Sequence, residues 1–346
     1  MAPPYLLWMW NVLKKFDYSH VAGHNLICKK LRHAVQTGRT VSAYLFTGTK
    51  GIGKKTVAEA FAASLLCESP WDGAPCKSCT ACKLLASGSH PDLIRLKMPE
   101  DKKSIGVEVV REQIIQEAYV RPFHAERKVF LIENGEAMTD GAQNALLKIL
   151  EEPPTYAVFI ILSTSSDQML ETVRSRCLAM HFLPLSQAEC HAYFEQFASV
   201  PRERRQLSAS FSQGVIGKGL QMMEDDAYAA LYRDTISHLT SLTKERDAVP
   251  SMQLFLTENR ENIQNMIDFM LIFLRDCLRV SINNQTKLIC TDQKEAVKLF
   301  RSSCSPSGLV RMMEAVIRFR ERLLKNASFS VSGLELLIRM QEEIHD

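Results

Sequence analysis

Cys67, Cys76, Cys79 and Cys82 are separated by eight, two and two residues. Thiolates at that spacing close a tetrahedron around Zn²⁺ and leave no position open for a substrate, which is the chemistry of a structural zinc site. Four unrelated free thiols is the competing reading. His90 lies nearby but precedes Pro91 in what reads as a loop, and it is taken as a non-ligand.

A second group of residues suits phosphate. In Gly48-Thr49-Lys50-Gly51-Ile52-Gly53-Lys54, the glycines let backbone N–H groups close around an anion, and Lys54 reaches it. The position after Lys54, where a Ser or Thr hydroxyl would hold Mg²⁺, is Lys55. Thr56 stands one residue further on, rotated by ~100° around the helix. The loop is therefore expected to bind ATP weakly at most and to lack a magnesium ligand; a retained structural turn is the competing reading.

Hydrolysis would also need an acidic residue at a strand end, followed by a carboxylate that orients water. Lys128 to Ile132 supplies the strand and Glu133 the acid, but the next residue is Asn134, which takes no proton from water at ordinary pH. Lys55 and Asn134 thus depart at the two groups on which turnover depends. Further along, Ser175-Arg176-Cys177 presents an arginine with two readings: an internal salt-bridge partner, or a finger offered to a neighbouring subunit's phosphates.

These residues need a frame. Ala43 to Thr47 reads as a strand and is followed by the glycine-rich turn and a helix through Val57, Phe61, Leu65 and Leu66. Val107, Val110, Ile114 and Ile115 recur at helical spacing, whereas Val129 to Ile132 and Val158 to Leu162 are short apolar runs suited to buried strands. Between those strands a helix carries Ala145, Leu146, Ile149 and Leu150 on one face until Pro153 and Pro154 end it. The alternation predicts a parallel α/β sheet. After Pro184 the strand signals stop, and helices broken at Pro201, Pro250 and Ser305 to Gly308 follow, with Gly214 to Gly219 setting a smaller helical unit apart from a larger one. The expected domains are 1–183 with the cysteine module at 67–82, then 184–225, then 226–346.

Lysine plus arginine total 42 and aspartate plus glutamate 39, a net +3 over the 346-residue chain, so contact with a phosphate backbone would be local. The apolar run Tyr5 to Met9, then Trp10, is followed by Lys14 and Lys15, the wrong order for a secretory signal. No segment reaches the ~18 uninterrupted apolar residues of a membrane span. The expectation is a cytoplasmic protein with no membrane association and with reduced cysteines.

The cysteine module, Gly48 to Lys54, Ser175-Arg176-Cys177 and the run Asn144-Ala145-Leu146-Leu147-Lys148-Ile149-Leu150-Glu151-Glu152-Pro153-Pro154 together resemble the clamp-loader subunits of bacterial DNA polymerase III, members of the AAA+ family, and most of all its delta-prime branch. The resemblance implies a RecA-like AAA+ domain, a helical lid (184–225) and a helical collar (226–346) that joins five subunits into a hetero-pentamer. By the same likeness, Val21-Ala22-Gly23-His24 lies where the family meets adenine. Gly48, Gly51, Gly53, Lys54, Thr56, Glu133 and Thr164, next to Ser163, fall in a vestigial nucleotide site, and Gly217-Lys218 replaces the lid's arginine-bearing sensor. Asn326 to Leu337, with Leu334, Leu337 and Ile338 on one helix face, is similar to the collar's final helices.

What the resemblance implies is a non-hydrolysing part of a DNA-directed DNA polymerase holoenzyme. It would donate Arg176 in trans and help load the sliding clamp on primed DNA beside the gamma/tau and delta subunits. A gamma/tau-type subunit that hydrolyses ATP is the nearest alternative, opposed by Lys55, Asn134 and Lys218. A zinc-stabilised nucleic-acid-binding adaptor is a third, which the evenly mixed charge opposes.

Overall fold

The computed structural model describes residues 16–96, 104–244, 248–282 and 288–345. The apolar run from Tyr5 to Trp10 and the basic pair after it lie outside the described residues. The chain forms two compact units, one from residues 1–190 with 213–217 and the other from 191–212 with 218–346.

The first unit is built on five strands: β1 (Ala43–Thr47), β2 (Leu93–Leu96), β3 (Lys128–Ile132), β4 (Ala157–Ser163) and β5 (Leu178–His181). They hydrogen-bond in the order β2-β3-β4-β1-β5, and every pairing is parallel. All residues of β1, β3 and β4 are buried, which is why these segments read as unbroken apolar runs instead of alternating ones. Helices α1 (Asn25–Gln36), α2 (Lys54–Leu66), α3 (Thr80–Ser87) and α4 (Asp140–Glu151) belong to this unit. Val57, Phe61 and Leu66 of α2 pack with Tyr44, Phe46 and Leu131 in one apolar cluster, while Leu146 and Ile149 of α4 pack with Leu45, Phe130 and Ile161 in another. Residues alternating along β1 and β3 thus supply both clusters.

The helix expected through Val107 and Ile115 forms over 107–118, but its middle turn, Arg111–Ile115, is widened into a π-helical turn. One buried charge organises the sheet's edge. Asp92, 1% exposed, follows His90 and accepts hydrogen bonds from the backbone N–H groups of Phe123 (2.6 Å), His124 (2.7 Å) and Ala125 (2.8 Å). Burial pushes its carboxyl up, yet the three donors together outweigh burial and hold it below the ordinary carboxylate range. The stabilisation this provides is complete above the unfolded carboxyl's pKa of about 3.9 and is lost as pH falls through the lower folded value. Asp92→Asn is expected to cost about 1.5–3 kcal/mol near neutral pH, because an amide replaces the charged acceptor. Denaturant melts should show that loss shrinking as the pH is taken towards 3, and equal stability of variant and wild type at pH 7 would refute the assignment.

The remaining helices are α5 (Gln187–Glu195), α6 (Arg202–Ser212), α7 (Ile216–Glu224), α8 (Asp226–Ser241), α9 (Ala248–Glu258), α10 (Ile263–Ile282), α11 (Lys294–Ser302), α12 (Pro306–Leu324) and α13 (Phe329–His345). Three of the expected helix breaks need refinement. Pro250 lies within the described span of α9, as its third residue. Ser305 caps α12 by accepting from the N–H of Gly308 at 3.0 Å, with Pro306 as its first residue. Gly217 and Gly219 lie inside α7; at Gly217 a Cβ would come within 2.8 Å of Gly51 Cα. The second unit's core gathers Tyr232, Phe269, Met270, Phe273, Phe300, Phe319 and Met340. Leu337 is fully buried there, whereas Leu334 and Ile338 remain exposed at the surface.

Candidate functional site

Parallel register brings the carboxyl ends of β1, β3 and β4 side by side, with Thr47 opposite Ser163 and Ile132 opposite Ile161. Ligands of open parallel sheets bind at this edge, and the residues expected to handle phosphate gather there. The loop from Gly48 to Gly53 leaves β1 and delivers Lys54 to the first turn of α2. Gly53 has φ 113°, a left-handed backbone that favours glycine, and at Gly48 a Cβ would stand 2.6 Å from the carbonyl of Phe182.

The loop's polar groups are largely satisfied from within. The buried Lys54 ammonium donates to the carbonyls of Gly48 and of Thr49, the latter at 3.1 Å. Burial pulls Lys54 below its ordinary pKa, while Glu136 opposes the shift. The N–H of Gly217 donates to the Gly51 carbonyl at 2.9 Å. His24 Nε2 donates to the Ile52 carbonyl at 3.0 Å, and its ring meets Phe182 edge-on. His24, expected near adenine, thus adjoins the loop, whereas a Cβ at Gly23 would meet Leu185. Thr56 is half-buried in the first turn of α2.

Glu133 follows β3 and is held by two cations: Lys55 Nζ stands 2.9 Å from Oε2, and Arg95 3.6 Å from Oε1. Arg95 in turn pairs with Glu59 of α2 at 2.9 Å. Asn134 adopts a left-handed backbone (φ 54°, ψ 52°), a conformation asparagine tolerates better than most residues. After β4, Thr164 donates to Gln168 Oε1 at 3.1 Å and Ser163 to the carbonyl of Ser165 at 2.7 Å. Lys218 belongs to the second unit, where its ammonium is 2.7 Å from Asp268 Oδ2 and Arg320 holds the other oxygen of the same carboxylate at 2.5 Å.

Arg176 lies just past a short helix, Glu171–Arg174, with its side chain one-third exposed. Its guanidinium pairs with Glu151 at the end of α4 and donates to the Thr172 carbonyl at 2.7 Å. The pairing with Glu151 was not visible in the sequence, although Glu151 stands inside the Leu-Glu-Glu-Pro-Pro run. Arg95 and Asp268 were missed too, since neither belongs to a motif.

The four cysteines converge, all Sγ atoms lying within 4.8 Å of one another. Cys67 Sγ is 3.9 Å from that of Cys79 and 3.8 Å from that of Cys82. Tetrahedral Zn–S bonds of about 2.3 Å imply an edge of roughly 3.8 Å. Backbone N–H groups already point at the sulfurs: Cys76 to Cys67 at 3.2 Å, Cys79 to Cys76 at 3.4 Å and Cys82 to Cys79 at 3.4 Å. A hydrogen bond from Cys82 is the main cause that draws the Cys67 thiol down, and the same bond pushes the Cys82 thiol up. The cluster can hold a metal ion. His90 is not part of this cluster; its Nδ1 accepts from the N–H of Asp92 at 3.1 Å.

Comparison with known proteins agrees with this geometry. A family model described as DNA polymerase III, delta subunit, matches residues 23–186, and one described as its C-terminal region matches 228–340. The DNA polymerase III subunit delta' of Bacillus subtilis is 28% identical over 326 residues, 92% of this chain and 95% of that one. The chain belongs to the DNA polymerase III delta-prime family. The delta' subunit of Pseudomonas aeruginosa is 44% identical over 139 residues, covering 39% of this chain and 41% of its own. The likeness to the gamma subunit of Buchnera aphidicola, 30% over 213 residues, covers 60% of this chain and 58% of that one. The fold class is the expected one in its architecture, a parallel α/β unit followed by helices. Among the described residues, no helix is long and apolar enough to cross a membrane.

Proposed function

We propose that this chain is the non-hydrolysing delta-prime subunit of a clamp loader, assembling with gamma/tau and delta subunits into a hetero-pentamer that loads the sliding clamp on primed DNA. The observation that carries this reading is Arg176, exposed and, among the described residues, held by Glu151 and local oxygens, so that little opposes its transfer to a phosphate on a neighbouring chain. The near end-to-end likeness to a delta' subunit supports it over the gamma/tau alternative. The family matches stop at 186 and resume at 228, which supports 184–225 as a lid and 226–346 as the collar.

In this reading the phosphate loop holds ATP weakly at most, and Zn²⁺ is a structural ion on Cys67, Cys76, Cys79 and Cys82. Bound zinc would supply cross-linking of the 67–82 segment and no chemistry. Asn134 cannot take a proton from water, and the Lys54 ammonium is already shared between two carbonyls. The isolated chain is therefore expected to release phosphate from ATP only at the background rate, with Lys54→Ala indistinguishable from wild type. Steady-state phosphate release that Lys54→Ala abolishes would transfer the assignment to the gamma/tau type.

A further inference from the structure

In phosphate loops of this kind, a hydroxyl after the loop lysine and an acid at the end of a neighbouring strand hold a magnesium ion between them. The residues present here do not fit that ion. Position 55 offers an ammonium instead of a hydroxyl, and that ammonium stands 2.9 Å from Glu133 Oε2, directly on the acid. Arg95 faces Oε1, so both carboxylate oxygens look towards positive charge.

We propose that Lys55 is a resident cation that keeps a divalent metal off Glu133, so that any polyphosphate reaching this loop is held without magnesium. Mg²⁺ binds carboxylate oxygen at about 2.0–2.1 Å, and an ion that close to Oε2 would lie within a few ångströms of the ammonium. It would have to displace the ammonium or bear its repulsion. Lys55 is carried on the first turn of α2 and Glu133 on the end of β3, and Arg95 ties Glu133 to Glu59 of the same helix. The ammonium is thereby presented at a high effective concentration that no change in solution magnesium alters. The substitution is thus an exchange of a dissociable counter-ion for a covalently attached one.

This deepens the non-hydrolysing reading and rests on it for the absence of turnover. The two fail separately, because phosphate release tests turnover whereas a metal titration tests Lys55. The experiment is a Mn²⁺ titration of the full chain, free Mn²⁺ being read from its electron paramagnetic resonance signal, with and without ADP. Wild type should take up no more Mn²⁺ with ADP than without it, once uptake by ADP alone is subtracted. Lys55→Thr should bind Mn²⁺ in the presence of ADP with a dissociation constant at least about tenfold lower than any wild-type value. Lys55→Thr combined with Glu133→Gln should return to the wild-type curve, and Lys55→Arg should still exclude the metal because the charge is kept. Since the cysteine cluster is present in every variant, differences among them report position 55. Should Lys55→Thr fail to give a cooperative melt, Lys55→Met removes the same ammonium and is expected to expose Glu133 as well. Wild type binding Mn²⁺ as tightly as the threonine variant, or no gain in any variant lacking the ammonium, would overturn the proposal.

Discussion

Arg176→Ala in a reconstituted loader is expected to lower clamp- and DNA-stimulated ATP hydrolysis by the neighbouring subunits about 10³-fold or more, the range measured for arginine fingers supplied in trans. The competing role, an internal salt bridge, makes a different prediction. The Arg176–Glu151 pair is partly exposed on both sides, with side chains 33% and 48% accessible, so its loss should cost about 0–1 kcal/mol, far below the ~3–5 kcal/mol of a broken buried pair. The variant alone should melt within a few degrees of wild type, since roughly 1 kcal/mol moves the midpoint of a domain of this size by ~2–4 °C. Arg176→Lys should rescue poorly, because an ammonium cannot reproduce the planar fork. Glu151→Gln is a useful contrast: it frees the guanidinium without removing it, and hydrolysis should be retained. Full hydrolysis by an intact complex carrying Arg176→Ala would eliminate the finger.

Removal of the metal should have the next largest effect, confined to one segment. The apolar core beneath the cluster consists of Cys67, Cys82 and Ala86, with Cys76 and Cys79 packed against it, too little to order the segment alone. A structural Zn²⁺ supplies about 10–16 kcal/mol of apparent binding energy in small modules, so here the metal would decide whether the segment folds. Elemental analysis should find about one zinc per chain, and none after Cys79→Ser with Cys82→Ser. Limited proteolysis of that variant should cut within 67–82, while replacing Cys277, Cys290 or Cys304 should leave the metal content unchanged. Because thiolates are the ligands, the metal should be lost on acidification as they protonate. A wild-type chain that is free of metal and still resists cleavage in the segment would refute the zinc assignment.

The features legible in the sequence are those written within one element or one short loop. The strand, glycine turn and helix around Lys54 follow from adjacent residues, and the four thiols from a spacing so short that their convergence needs only a local turn. Apolar runs such as Val158 to Leu162 announced buried parallel strands because both faces of the sheet are covered. The absence of a base at Asn134 was readable from residue type alone. What lay beyond the sequence depends on crossovers between distant segments. The order β2-β3-β4-β1-β5 is one such result. It sets the end of β3 beside the first turn of α2, so that Lys55 meets Glu133 across 78 positions. In the same way, the turn after Leu170 places Arg176 on Glu151, and the second unit's packing gives Lys218 to Asp268. Period and spacing encode which face of an element is apolar, but which charges meet is decided by register and crossover, and these are settled only when the whole sheet and the helix bundle close.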